Sequence, residues 1–125
     1  MPSKLRLKKI SDRIQQLLSE MIVTGKISDP RVTSAFITDV TLDRELSVAK
    51  VFVSSLEGKD HAAEILDGLS HASGYLRSSL ASEIELRSFP SLRFVWDETP
   101  EKADRIEQLL DSISKENAAN DNQDK

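Results

Sequence analysis

LSHASGYLRSSL, residues 69 to 80, lies in the middle of the longest amphipathic run of the chain, and its reading decides the fold. Around it Ala62, Ile65, Leu66, Leu69, Leu76, Leu80 and Ile84 return at helical spacing, so periodicity alone predicts one unbroken helix across residues 60 to 86. Path length predicts otherwise. Such a rod is about 40 Å long at 1.5 Å per residue, whereas a neighbouring strand of five or six residues needs a return path of only ~17–20 Å. Ala72, Ser73 and Gly74 stand together at its centre, and Gly74 combines backbone freedom with poor helix propensity, so a bend is expected there. The same glycine would also serve a continuous helix as a small residue for close packing, and periodicity does not choose between the two.

The flanks of this segment change period. In TSAFITDVTL (33–42) Phe36, Thr38, Val40 and Leu42 alternate with Ile37, Asp39 and Thr41, and in SVAKVFVS (47–54) Ala49, Val51 and Val53 alternate with Val48, Lys50 and Phe52. Both runs are rich in β-branched and aromatic residues, and the polar Asp43-Arg44-Glu45 between them predicts an antiparallel hairpin. A third alternating run, LRFVWD at 92–97, follows Pro90 at a strand entrance. Joined to the second strand by a helical crossover, it is expected to run parallel to it.

Upstream, Leu7, Ile10, Ile14, Leu17, Leu18, Met21 and Ile22 mark a helix from about Lys4 to Thr24, stopped by Gly25 and turned by Asp29-Pro30. Downstream, Thr99-Pro100-Glu101 predicts a last helix with Thr99 as N-cap and Ile106, Leu109, Leu110 and Ile113 as its apolar side. The expectation is an α+β domain over residues 1–113. It has a three-stranded mixed sheet with the helices on one face, a C-terminal helix, and a disordered polar tail at 114–125.

The 125 residues suit a single core, with 38% apolar and 30% charged residues. No run of about 18 apolar residues is present, and the basic N-terminus lacks the apolar stretch of a signal peptide, so a cytoplasmic, monomeric protein without membrane attachment is expected. The absence of cysteine excludes a disulfide scaffold, a thiolate metal site and a cysteine nucleophile. The net charge of −4 hides an asymmetry: residues 1–31 hold seven Lys/Arg against three Asp/Glu, and residues 97–125 hold four against nine. A basic head and an acidic end suggest a polyanion-facing surface, against the plainer reading of ordinary surface variation.

No catalytic constellation is visible. Neither His61 nor His71 has a histidine or acid four residues after it, and Asp39, Asp43 and Asp97 have no loop spacing to hold an ion. Phosphate loops and nucleophile elbows are absent, so neither an enzyme, nor a cofactor, nor a metal site, nor a small-molecule substrate is expected. Binding remains. A helix–Gly–helix joint beside a small sheet resembles the KH module, whose GXXG loop clamps a nucleic-acid backbone. Only Gly74 of that loop is present here, so the clamp should be weakened or lost.

The ordered pieces RIQQLLSEMI in the first helix, DPR at 29–31, ITDVTLDRELSVAKVFVS, ASGYLRSSLASEIELR, and Pro90, Leu92, Phe94 and Asp97 together resemble the ribosome-binding factor A family from about Lys4 to Leu110. The resemblance implies a KH-like α-β-β-α-kink-α-β fold with Ala72, Ser73 and Gly74 at the kink. It implies binding to the free 30S subunit and 16S rRNA, assistance in late maturation and 5′-end processing, and a role in growth at low temperature. Lys4, Arg6, Lys8, Lys9 and Arg13 with Arg31 would pair with rRNA phosphates, and Arg77, Arg87 and Arg93 would extend that surface. The rival reading is an adaptor that docks a basic protein through the acidic C-terminal helix.

Overall fold

The first helix is capped by Ser3, whose Oγ accepts the Arg6 N–H at 3.1 Å, and α1 runs Lys4–Val23. The computed structural model of the chain describes residues 3–100, 103 and 106–113. At the far end of α1, Gly25 takes φ 72°. This lets the Lys26 N–H bond the Met21 carbonyl at 3.0 Å and the Gly25 N–H bond that of Ile22 at 3.2 Å, the paired closure that a left-handed residue makes possible. The Asp29 carboxylate then accepts the Arg31 N–H at 3.0 Å and opens a short 3-10 turn, Pro30–Val32.

β1 (Ala35–Leu42) pairs antiparallel with β2 (Val48–Ser55), and β2 pairs parallel with β3 (Ser91–Trp96) in the order β1-β2-β3. The crossover between β2 and β3 carries α2 (Ala62–His71) and α3 (Ser73–Glu83). The expected α+β architecture with a three-stranded mixed sheet is therefore the architecture found. Within the hairpin turn the Asp43 carboxylate accepts the N–H groups of Ser47 and Val48 at 2.8 and 2.9 Å and the Ser47 hydroxyl, which holds Leu46 at φ 58°.

The alternation expected for β1 holds only in part. Pairing runs Ile37 to Val53 and then Asp39 to Phe52, so Thr38 is an extra residue and the register slips. The buried side of β1 is consequently Ala35 and Ile37 before the bulge and Val40 after it, rather than Phe36, Thr38 and Val40. The Thr38 hydroxyl donates to Asp97 Oδ2 at 2.7 Å, beyond the end of β3, and this bond is the first cause of an Asp97 carboxyl held below the usual carboxylate range. Thr38 thus ties β1 to the exit of β3.

Ile14 and Leu18 of α1, Val51 and Val53 of β2, Ile65 and Leu69 of α2 and Leu76 and Leu80 of α3 are all fully buried in one cluster. Each such side chain contributes about 1.5–3 kcal/mol relative to exposure, so this cluster holds the helices on one face of the sheet.

The helix interruption falls at Ala72, with φ −85° and ψ −2°, close to 40° from the helical ψ. The ladder continues on both sides, from the Ala72 N–H to Gly68 O at 3.2 Å and from the Leu76 N–H to Ala72 O at 2.9 Å. The break therefore lies at the first residue of the Ala72-Ser73-Gly74 motif and not at Gly74, which belongs to α3 and has open space where a Cβ would stand. The glycine that close packing requires is Gly68. A Cβ there would stand 3.0 Å from Val32 Cγ1 and 3.2 Å from Asp29 Oδ2.

Residues 99, 100, 103 and 106–113 are helical. Asp97 rather than Thr99 supplies the cap, since its Oδ1 accepts the Thr99 N–H at 2.9 Å. The apolar side of this helix stays in solvent: Ile106, Leu109, Leu110 and Ile113 are 45–62% exposed. The expected tail at 114–125 lies outside the described residues. Among the described residues no helix is long and apolar enough to cross a membrane.

Candidate nucleic-acid interface

Helical spacing sorts the cations of α1 into two flanks. Arg6, Lys9 and Arg13, at i, i+3 and i+7, share one exposed stripe, while Lys4 and Lys8 lie on the other side of the buried seam. Lys8 pairs with Asp12 at 2.9 Å, and that hydrogen bond raises its pKa. On the first stripe no carboxylate pairs with a cation among the described residues. Arg13 Nη1 donates to Gln16 Oε1 at 3.2 Å, which keeps the guanidinium extended along the helix.

Arg13 also borders a cleft of about 430 Å³ between α1 and α3, shared with Lys26 and Tyr75 and rimmed by Glu20 and Glu83. Lys26 and Tyr75 border a second cleft of about 460 Å³, together with His71 and Ala72. Ala72, at the helix interruption, and Tyr75 therefore line the same cleft. Tyr75 is 53% exposed and was not among the residues expected at the site. Its signal was present in the sequence: an aromatic residue next to Leu76 stands about 100° off the apolar stripe.

The remaining expected contacts separate. Arg31 is already engaged, with Nη2 2.6 Å from Asp29 Oδ2 and Nη1 2.6 Å from Asp67 Oδ2. These bonds hold Asp29 at about 2, and they draw the 3-10 turn onto α2. Arg77 donates from Nη2 to the Phe89 carbonyl at 2.6 Å and from Nε to the Pro90 carbonyl at 3.2 Å, fastening α3 to the entrance of β3. Both arginines brace the fold from its surface, where they remain exposed. Arg87 and Arg6 line one cleft of about 510 Å³ together with Glu45 and Ser47. Arg93 lies exposed in the middle of β3, on the sheet and away from α1.

No group of three histidines, aspartates or glutamates that would hold a metal ion is present among the described residues. His61 Nδ1 lies 3.2 Å from Glu64 Oε2, and His71 Nδ1 lies 2.9 Å from the Asp67 carbonyl. Both are surface side chains engaged within their own helical turns.

Comparison with known proteins places the family and the fold. The family model described as Ribosome-binding factor A matches residues 6–110. A relative with that name from Alcanivorax borkumensis is 43% identical over 112 residues, covering 89% of this chain and 81% of the relative. The crystal structure of ribosome-binding factor A from Thermus thermophilus superposes with a TM-score of 0.62 at 25% identity, over 71% of this chain and 93% of that one. A homology model of the Thermus thermophilus factor, fitted into a cryo-EM map of its complex with the 30S subunit, superposes with a TM-score of 0.57 at 28% identity, over 70% of this chain and 90% of that one.

Proposed function

We propose, from the premise that this chain belongs to the ribosome-binding factor A family, that it binds the free 30S ribosomal subunit through 16S rRNA. It acts in the cytoplasm, late in subunit maturation, where it assists processing of the 16S 5′ end and leaves before translation. Its contribution is greatest in the cold, when misfolded RNA helices rearrange slowly. The work is done by binding energy rather than by covalent chemistry: cations held in a fixed array favour one arrangement of the phosphate backbone over others.

The observation that carries this reading is the stripe of Arg6, Lys9 and Arg13, exposed and without an acidic partner among the described residues. Such contacts position a protein on RNA without reading sequence, so selectivity comes from the shape of the immature subunit. Arg87, which lines one cleft with Arg6, extends the array at its N-terminal end.

The test is sedimentation with purified 30S subunits over a salt series. Reversal of Arg6, Lys9 and Arg13 to Glu is expected to abolish co-sedimentation at 0.1 M salt, and wild-type binding should weaken steeply with salt. Retained binding by the triple variant would reject the phosphate-contact mechanism. A second reading is favoured by one observation, the exposed apolar side of the C-terminal helix. An adaptor that docks a basic protein there would keep its partner in the triple variant and lose it when Leu109 and Leu110 become Ser.

A further inference from the structure

The outer face of the sheet carries cations that the α1 stripe does not account for. Lys50 of β2 stands opposite Arg93 of β3 in the parallel register, and Thr41 of β1 completes the row. Ala49 and Val51, on either side of Lys50, are fully buried on the helix side, so Lys50 and its partner in register project from the opposite face. Both are exposed, and neither has an ion-pair partner among the described residues.

Like charges directly opposite one another on neighbouring strands destabilise a sheet. The fold tolerates this repulsion in the middle of its smallest layer, where a threonine on either strand would remove it. The next row holds Asp39, Phe52 and Val95, and Phe36 stands beyond it opposite Ser54. Phe36, Phe52 and Val95 are half-buried yet lie outside the apolar cluster beneath the helices. Asp39 is the one acid of these strands on this face. Its carboxylate accepts the Val40 N–H at 2.9 Å, and its field acts on Lys8 of α1, at the β1 edge.

We propose that this face is a second ribosomal-RNA contact, in which Lys50 and Arg93 take neighbouring phosphates of a single strand and Phe52 offers its ring to an adjacent base. The inference rests on the reading of the chain as an rRNA-binding factor and deepens it. Charge selects the occupant, since unpartnered cations beside an aromatic ring suit an RNA strand by phosphate pairing and stacking. The C-terminal helix meets this demand poorly, because its apolar side is exposed rather than laid on the sheet. The consequence is geometric. The α1 stripe and the sheet row lie on opposite sides of a two-layer domain, so the protein is gripped between two rRNA segments instead of resting on one.

The test uses the full chain with Lys50→Thr and Arg93→Thr together, since threonine suits a strand. Thermal melts are read beside affinity for purified 30S subunits and for protein-free 16S rRNA across a salt series. The double variant is expected to melt at or above the wild-type temperature, because the repulsion is gone, and to bind both targets roughly tenfold or more weakly at 0.1 M salt. The slope of log affinity against log salt should become shallower by roughly 1.4, two single-strand phosphate contacts. Wild-type affinity and slope in the variant would overturn the inference while leaving the family function in place, and would be the result if the chain's own helix covered the face. Weakening toward subunits but not toward naked rRNA would overturn it in favour of a ribosomal protein as occupant. Failure of the wild type to bind subunits at all would refute the proposed function and this inference together.

Discussion

The exposed stripe of α1 and the seam between the Asp29-Pro30-Arg31 turn and α2 both carry arginine and put it to opposite uses. On the stripe Arg6, Lys9 and Arg13 have no carboxylate partner among the described residues and face solvent. In the seam Arg31 is held at 2.6 Å by both Asp29 and Asp67, over a helix where a Cβ at Gly68 would stand 3.0 Å from Val32 Cγ1. An arginine in the first region is available to a phosphate, and one in the second is a strut. The difference comes from what stands across from the side chain, and residue type carries none of that information.

The largest effect is expected where the seam is tightest. Gly68→Val would drive a side chain into Val32 and Asp29, and overpacking of this kind typically costs ~1–3 kcal/mol, only partly offset by better helix propensity. Urea unfolding should show a lowered midpoint with an unchanged slope. Stability equal to the wild type would mean that the seam is loose and that the comparison with the stripe is false.

That seam also marks the limit of what the sequence disclosed. α1, the hairpin, the parallel third strand and the α-helical crossover were legible because their signals are periodic and local: seven apolar residues at helical spacing, two alternating runs around a polar turn, a strand behind a proline. The bulge at Thr38 was not, since the bond that accompanies it reaches Asp97, 59 positions along the chain. The fate of Arg77 was hidden for the same reason, since the carbonyls of Phe89 and Pro90 lie 12 and 13 positions away, and that of Arg31 was hidden in part: Asp29 is two positions off, but Asp67 is 36. The site was therefore half readable. A cationic stripe on one helix can be seen from spacing, whereas the sheet row of Lys50 and Arg93 appears only once β2 and β3 are set in register.

A pair of single variants sharpens the comparison at intermediate size. Arg31→Ala should lower the melting temperature and leave the salt slope of 30S binding untouched, while Arg13→Ala should leave melting unchanged and reduce the slope by roughly 0.7–0.9, one phosphate. Acid adds a signature of the seam. Asp29 is lowered from 3.8 to about 2 by the Arg31 hydrogen bonds, so its stabilisation is complete above pH 3.8 and is lost as pH falls through about 2. Wild-type stability should fall across that window, and Arg31→Ala should flatten the fall. The reverse assignment, with Arg13 controlling stability and Arg31 the salt slope, would invert the comparison.

The smallest expected effect concerns the second glycine of the same crossover. Gly74 follows the interruption at Ala72, and nothing stands within 4 Å of the place a Cβ would occupy, in contrast to Gly68 one turn before the break. If the corner is formed at Ala72 by packing of Leu69 and Leu76 into one core, Gly74 supplies no special backbone conformation and only weakens the first turn of α3. Gly74→Ala should then raise stability by up to about 1 kcal/mol, read as a higher urea midpoint, with 30S affinity unchanged. A loss of stability would return the corner to Gly74 and make its backbone freedom the reason the crossover breaks. A loss of affinity at unchanged stability would show instead that RNA approaches the main chain at this joint, as it does at the glycines of a KH loop.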